Sequence, residues 1–239
     1  MAGKLLIVDD PLFSPSTGAS RLVVIGRNSV LWSRIADCVL AQRPDSLAIG
    51  HRDIGGVELT ADDCVWIFSY APDEDENRRL FDRVKALGAG RHIYLSSATA
   101  NIADQIHCYR YPRVKAEGER DAARILGARS VRIGLIHDEP TELPAGTSAA
   151  TRLDDLIAAM LASDGLPASE SGAVPLFRLV ERPFTGALEH AAYRTYGALL
   201  RLCGRRPCLL RPLDLMLRAI GWRWYGYFRL SNERCITTI

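Results

Sequence analysis

Tyr111 stands four residues before Lys115, in a stretch from Arg110 to Leu126 that reads as a helix. Residues four apart share a helix face, so a phenol and an ammonium can serve one site. A phenol by itself titrates near ~10 and is a poor base at neutral pH. An ammonium beside it favours the phenolate and lowers that value, toward the range useful for proton transfer. The lysine is informative because the chain has only three (Lys4, Lys85 and Lys115) among 30 basic residues. An arginine, always protonated and forked, is no substitute. The plainer reading of the pair is a surface tyrosine and a solvated lysine.

Such a pair needs elements that bring it to a ligand. Upstream, Arg21 to Ile25 reads as a short apolar strand. Gly26-Arg27-Asn28-Ser29 makes a turn, and Val30 to Gln42 has the broad apolar face of a helix. Strand, glycine turn and helix form an arrangement that cradles phosphate on backbone N–H groups and a helix N-terminus. A full G-x-x-G-x-x-G fingerprint has three glycines. Here Gly26 is followed by Ser29, which can cap the helix, and by the bulky Trp32.

A second strand is expected from Ser46 to Gly50, with His51, Arg52 and Asp53 after it. There an acid would hold both ribose hydroxyls of NAD, and an arginine would meet the 2′-phosphate of NADP. With Arg27 and Arg52 both nearby the reading leans to NADP, while Asp53 keeps NAD open. Cys64 to Ser69 is a buried-looking strand that ends in Ser69-Tyr70-Ala71. Asp73 to Leu87 is an amphipathic helix with an acidic first turn, and His92 to Thr99 a strand ending in hydroxyls at Ser96, Ser97 and Thr99. Val131 to Ile136 is a further strand. This alternation predicts an α/β fold, a doubly wound parallel sheet (Rossmann-like). Ligands of such sheets lie beyond the carboxyl ends of the strands, where the Gly26 turn, Ser69 and Ser97 fall.

The second half is read as a small, mostly helical C-terminal lobe. Pro140 to Ser148 is expected to be a loop, Thr151 to Ser163 a helix, and Asp164 to Pro175 another loop. Leu176 to Val180 is expected as a strand carrying the sheet outward, with helices from Thr185 to Cys203 and Arg211 to Ile220. Aromatic residues crowd positions 222–228. The expected division is therefore an extension at 1–20, a dinucleotide-binding core at 21–140 and a C-terminal lobe at 141–239 packed on it.

Net charge is only +2 over 239 residues, but it is uneven. Nine arginines from position 193 onward face only Asp214 and Glu233, which makes the tail +7. Such a tail suits an anionic ligand, an acidic lipid surface or a partner. The six cysteines have no metal-like spacing and read as reduced thiols of a cytoplasmic protein. The five histidines form no metal-binding array, so no metal site is expected. No uncharged run approaches the ~20 residues of a membrane span.

Taken together, the Gly26 turn, Arg52, Ser69-Tyr70-Ala71, the Ser-Ser-Ala-Thr run ending at Thr99, Tyr-Pro-Arg-Val-Lys-Ala-Glu from Tyr111, and Val-Arg-Ile-Gly from Val131 resemble the extended or atypical short-chain dehydrogenase/reductase (NAD-dependent epimerase/dehydratase) family. The resemblance covers about residues 21–140. It implies that Ser97 positions a substrate hydroxyl or carbonyl, that Tyr111 exchanges its proton, and that Lys115 holds the nicotinamide ribose and acidifies the tyrosine. Gly26 to Ser29 would carry the pyrophosphate, and the C-terminal lobe at 141–239 would be the substrate lobe. The implied activity is NAD(P)-dependent oxidation, reduction or epimerisation of a sugar nucleotide or related small molecule, with no nucleic acid involved and a homodimer left open. The alternative is a dinucleotide-fold binding or regulatory protein without turnover. A third reading is a membrane-surface contact through the basic tail.

Overall fold

The computed structural model describes residues 21–71, 73–106, 109–162, 173–204, 209–219 and 226–238. The expected extension at 1–20, most of the loop from Asp164 to Pro175, and the aromatics Trp222, Trp224 and Tyr225 lie outside them.

Six strands make a parallel sheet: β1 (Leu22–Ile25), β2 (Leu47–Ile49), β3 (Cys64–Ile67), β4 (Arg91–Ser97), β5 (Arg129–Ile133) and β8 (Ala173–Pro175). Their order is β2-β1-β3-β4-β5-β8. Alternation along each strand sends side chains to opposite faces. Leu22, Val24, Cys64, Trp66, Ile93 and Leu95 face one apolar cluster; Val23, Ile25, Val65, Ile67 and Tyr94 face the other. Because both faces are covered, the central strands read as continuous apolar runs. The first cluster is closed by α1 (Val30–Gln42) and α4 (Leu153–Leu161), and the second by α2 (Glu74–Lys85) and α3 (Arg110–Leu126).

Local chemistry sets the helix ends. The Ser29 hydroxyl accepts from Trp32 N–H at 3.0 Å and caps α1. Asp73 caps α2 by accepting from the N–H groups of Asp75 and Glu76, and such caps contribute about 1 kcal/mol each. Gly127 ends α3 in the left-handed conformation at φ 63°, which only glycine adopts without strain. Pro112 does not delay α3. It sits in the first turn, where its missing N–H has no intrahelical partner to lose, so Tyr111 is already helical.

Several expected boundaries move. The strand expected from Val131 to Ile136 breaks at Gly134 into β5 and β6 (Leu135–His137). A Cβ at Gly134 would stand 2.2 Å from the Ala149 carbonyl oxygen, so the two sheets meet there backbone to backbone. The loop expected from Pro140 to Ser148 runs into β7 (Gly146–Arg152). The single strand expected from Leu176 to Val180 is replaced by two: β8 extends the main sheet beside β5, and β9 (Arg178–Arg182) pairs antiparallel with β7. A second sheet, β6-β7-β9, results. The Thr151 hydroxyl ties the sheets, accepting from Gly134 N–H at 2.9 Å and donating to the Leu176 carbonyl at 2.5 Å.

The parallel core therefore does not stop at residue 140. Leu153, Leu156, Ala159 and Met160 of α4 complete one of its two clusters, and β8 adds its sixth strand. What stands apart is a helical group: α5 (Ala187–Gly204), α6 (Leu210–Ala219) and α7 (Gly226–Thr238). It packs on Ile102, Ile106 and Tyr109 just before α3.

Candidate active site

The carboxyl ends of β1, β3 and β4 converge where the strand order reverses, the usual location of ligands in an open parallel sheet. Gly26 leaves β1 with φ 122°. Its N–H and that of Arg27 both donate to the Ile49 carbonyl. A Cβ at Gly26 would lie 2.9 Å from Ser69 Oγ and 3.0 Å from Phe68 Cβ, so only glycine fits both the angle and the gap. Arg27 and Asn28 are exposed at the turn. The Trp32 indole points away from it into the core, 3% exposed and edge-on to Phe68.

After β2 the chain turns back, and Asp53 Oδ2 lies 2.6 Å from where a Cβ of Gly50 would stand. Arg27 reaches this carboxylate at 3.2 Å. Arg52 is exposed beside it, so Asp53 rather than Arg52 is the residue coupled to the glycine turn. After β3, the buried Asn77 side chain holds the backbone of Ala71 in both directions, accepting at 2.6 Å and donating at 2.9 Å. This clamp fixes the Ser69-Tyr70-Ala71 segment.

Ser97 closes β4, buried, and its hydroxyl accepts from Thr99 N–H and Thr99 Oγ1 at 3.3 and 3.0 Å. With Thr99 donating, the Ser97 hydroxyl keeps its own proton, and it stands near enough to the Tyr111 phenol to favour the phenolate. The Tyr111 ring lies between two others, 5.7 Å from Tyr70 and 6.0 Å from Tyr227. Lys115, one turn along α3, is 5% exposed. Its Nζ donates to the Leu95 carbonyl at 3.0 Å and sits 4.2 Å from the Tyr70 ring centroid and 5.2 Å from that of Tyr94. The helix comes so close to β4 that a Cβ at Gly118 would stand 2.4 Å from the Tyr94 hydroxyl.

The electrostatics differ from the sequence expectation. Burial pushes the Tyr111 phenol up to about 12, against the opposing hydrogen bond from Ser97, and Tyr70 adds to the rise. Lys115 does not acidify it. Burial instead lowers the amine itself to about 7, with Glu119 opposing. The reason is general: a low-dielectric site disfavours whichever form is charged, and this ammonium is enclosed by aromatic rings and a carbonyl rather than by carboxylates.

A cleft of about 580 Å³ opens beside Tyr111, lined by Tyr109, Arg110, Arg211, Arg218 and Tyr227 among others. Its wall is anchored by Asp214, 3% exposed. That carboxylate accepts from the Tyr109 and Tyr196 hydroxyls and from Gly226 N–H. Sequence reading singled out Ser97, Tyr111, Lys115, Gly26 and the Ser69 segment. It gave no role to Thr99 and Asn77, which act through local side-chain hydrogen bonds, or to Tyr94 and Asp214, whose contacts span long sequence separations.

No protein-family model matches the chain, and no curated protein matches it. Solved structures do. The NAD-dependent NDP-hexosamine 5,6-dehydratase TunA of tunicamycin biosynthesis superposes with TM-score 0.50 at 12% identity, over 76% of this chain and 81% of that one. The chain has that Rossmann-like fold. A short-chain dehydrogenase/reductase superfamily protein from Agrobacterium tumefaciens with bound NAD gives TM-score 0.48 at 15% identity, covering 75% of this chain and 82% of the other. A UDP-glucuronic acid 4-epimerase from Bacillus cereus with NAD gives 0.47 at 11%, covering 67% and 78%. These structural neighbours are short-chain dehydrogenase/reductase and epimerase/dehydratase proteins.

Proposed function

We propose that the chain is an NAD(P)-dependent oxidoreductase or epimerase of the short-chain dehydrogenase type, acting at a hydroxyl or carbonyl carbon of a sugar nucleotide or related substrate. The observation that carries this reading is that Tyr111 and Lys115 both meet the Tyr70 ring, that Ser97 acts on the Tyr111 phenol, and that Gly26 backs onto Ser69 next to that ring. The turn suits a dinucleotide pyrophosphate, because the positive φ of Gly26 turns the chain tightly from β1 onto the N-terminus of α1. Arg27, Asn28 and Ser29 complete that cradle, and Ser69, Tyr70 and Ala71 border it. At its far end Asp53 suits the two ribose hydroxyls of NAD, and Arg27 and Arg52 suit the added phosphate of NADP.

The bound nicotinamide supplies the hydride chemistry. The chain's own groups handle the oxygen and the proton. Ser97 positions a substrate oxygen, and Tyr111 exchanges a proton with it. A phenol held up to about 12 is fully protonated at neutral pH, so the resting site is set to donate, the direction a carbonyl reduction requires. Arg110, Arg211 and Arg218 around the cleft suit a phosphate-bearing substrate, and its volume lies within the range of small-molecule sites.

One observation favours a second reading, a dinucleotide-fold binding protein without turnover. The Tyr70 ring lies over Lys115, whose amine is already buried. Titration calorimetry with NAD and NADP, followed by turnover assays with a panel of sugar nucleotides, separates the two. The enzymatic reading expects dinucleotide binding, and Tyr111→Phe then abolishes turnover while leaving that binding nearly intact. Full turnover in Tyr111→Phe removes the assigned role. Binding without turnover on any substrate supports the second reading.

A further inference from the structure

The outer sides of α5 and α6 carry an apolar face that no described part of the chain covers. Leu188, Leu199 and Leu202 of α5 fall within about 60° of one another around the helix. Leu188 is 87% and Leu202 68% exposed. Leu209, Leu215 and Met216 on and just before α6 are likewise exposed, Leu215 at 67%. Both helices put other residues, Tyr196 with Leu200 and Leu210 with Leu213, into one shared cluster. The exposed stripes are therefore surplus to the fold. Isolated exposed leucines are unremarkable, but six large apolar side chains exposed on two neighbouring helices mark a surface that something covers.

The charges say what kind of surface would cover it. Arg194, Arg211 and Arg218 flank the stripes and are exposed, and the sequence adds Arg201, Arg205 and Arg206 to the same segment. The acids of this region are turned elsewhere. Asp214 is buried in its hydrogen bonds to Tyr109, Tyr196 and Gly226. Glu189 binds Arg182 and Thr185, and Glu233 faces Arg229. Exposed leucine and methionine flanked by exposed arginine make the face of an interfacial helix pair. A second copy of this chain is disfavoured as the occupant, because it would set arginines against arginines.

We infer that the outer face of α5 and α6 docks on an anionic phospholipid surface. The contact is peripheral, since no helix among the described residues is long and apolar enough to cross a membrane. Arg211, Leu215 and Arg218 also line the cleft beside Tyr111, so docking places the mouth of that cleft at the headgroup layer. This inference is independent of the proposed oxidoreductase activity and is tested without it.

Vesicle sedimentation with the full chain is the experiment, comparing phosphatidylcholine alone with a mixture containing phosphatidylglycerol. The expected result is binding to the anionic vesicles only, reversed by salt. Arg211→Gln with Arg218→Gln should weaken it roughly thirtyfold, since each arginine near such a surface contributes about a fivefold gain. Leu202→Ser with Met216→Ser, at exposed positions that leave the core untouched, should also weaken it while circular dichroism stays the same. Three results would overturn the inference. One is no binding to anionic vesicles, and another is equal binding to both kinds. The third is a solution dimer that the Leu202→Ser and Met216→Ser pair dissociates, which would assign the face to a second copy.

Discussion

Replacing Lys115 by methionine keeps the aliphatic stem and removes a buried amine. The amine is lowered to about 7 in the folded chain, against ~10.4 when the chain is unfolded. Below the folded value the amine is charged in both states, so its burial is at its most costly, on the order of 5 kcal/mol for a shift of this size. As pH rises above it, the folded chain binds fewer protons than the unfolded chain, and stability increases with pH up to the unfolded value. The wild-type chain should therefore gain about 2 kcal/mol from this group between about pH 7 and about pH 9. Lys115→Met lacks that gain. It also loses the hydrogen bond to the Leu95 carbonyl, which offsets about 1 kcal/mol. The variant should thus be a few kcal/mol more stable than wild type at about pH 6, an advantage that shrinks as pH rises. Urea unfolding of both proteins over this range measures the difference, and contributions from His92 and Glu117, also shifted by burial, are common to both and cancel. A difference that stays flat with pH would falsify the assignment of a neutral, buried amine.

Two further outcomes test the scaffold. Asp214→Ala removes the acceptor for Tyr109, Tyr196 and Gly226. It should lower stability by about 2–4 kcal/mol, several degrees in thermal unfolding, because three donors are left buried without it. Gly26→Ala forces a side chain into positive φ and against Ser69, so it should destabilise by about 1–3 kcal/mol and weaken dinucleotide binding in calorimetry. Unchanged stability in either variant would contradict the geometry given for it.

The parts of the fold that follow local rules were legible in the sequence. Helices α1 and α3 lie on the expected residues, because Ser29 and Gly127 mark their ends and their apolar spacing is regular. Strands β1, β3 and β4 were legible as apolar runs. Strand β7 was not. Its Gly-Thr-Ser-Ala-Ala-Thr-Arg sequence has the small and hydroxyl residues of a loop, and it is a strand because Thr151 and Ala149 meet Gly134 backbone at close range. The site divides in the same way. The Tyr111 and Lys115 pairing follows from helix spacing. The Tyr70 ring over Lys115 depends on contact between residues 45 positions apart, with β3 and Asn77 setting the distance, and no local signal encodes it.

The Asp214 contacts have a consequence for how the protein can be cut. Tyr109, whose hydroxyl they engage, is also the residue that opens α3, and Ile102 and Ile106 share its apolar cluster with α5 and α6. A shortened chain ending before residue 187 would therefore not yield a tidy nucleotide-binding fragment. It would expose the starting turn of the helix that carries Tyr111 and strip its apolar seat, so the helices from α5 onward are a foundation for the chemistry as well as a wall around it.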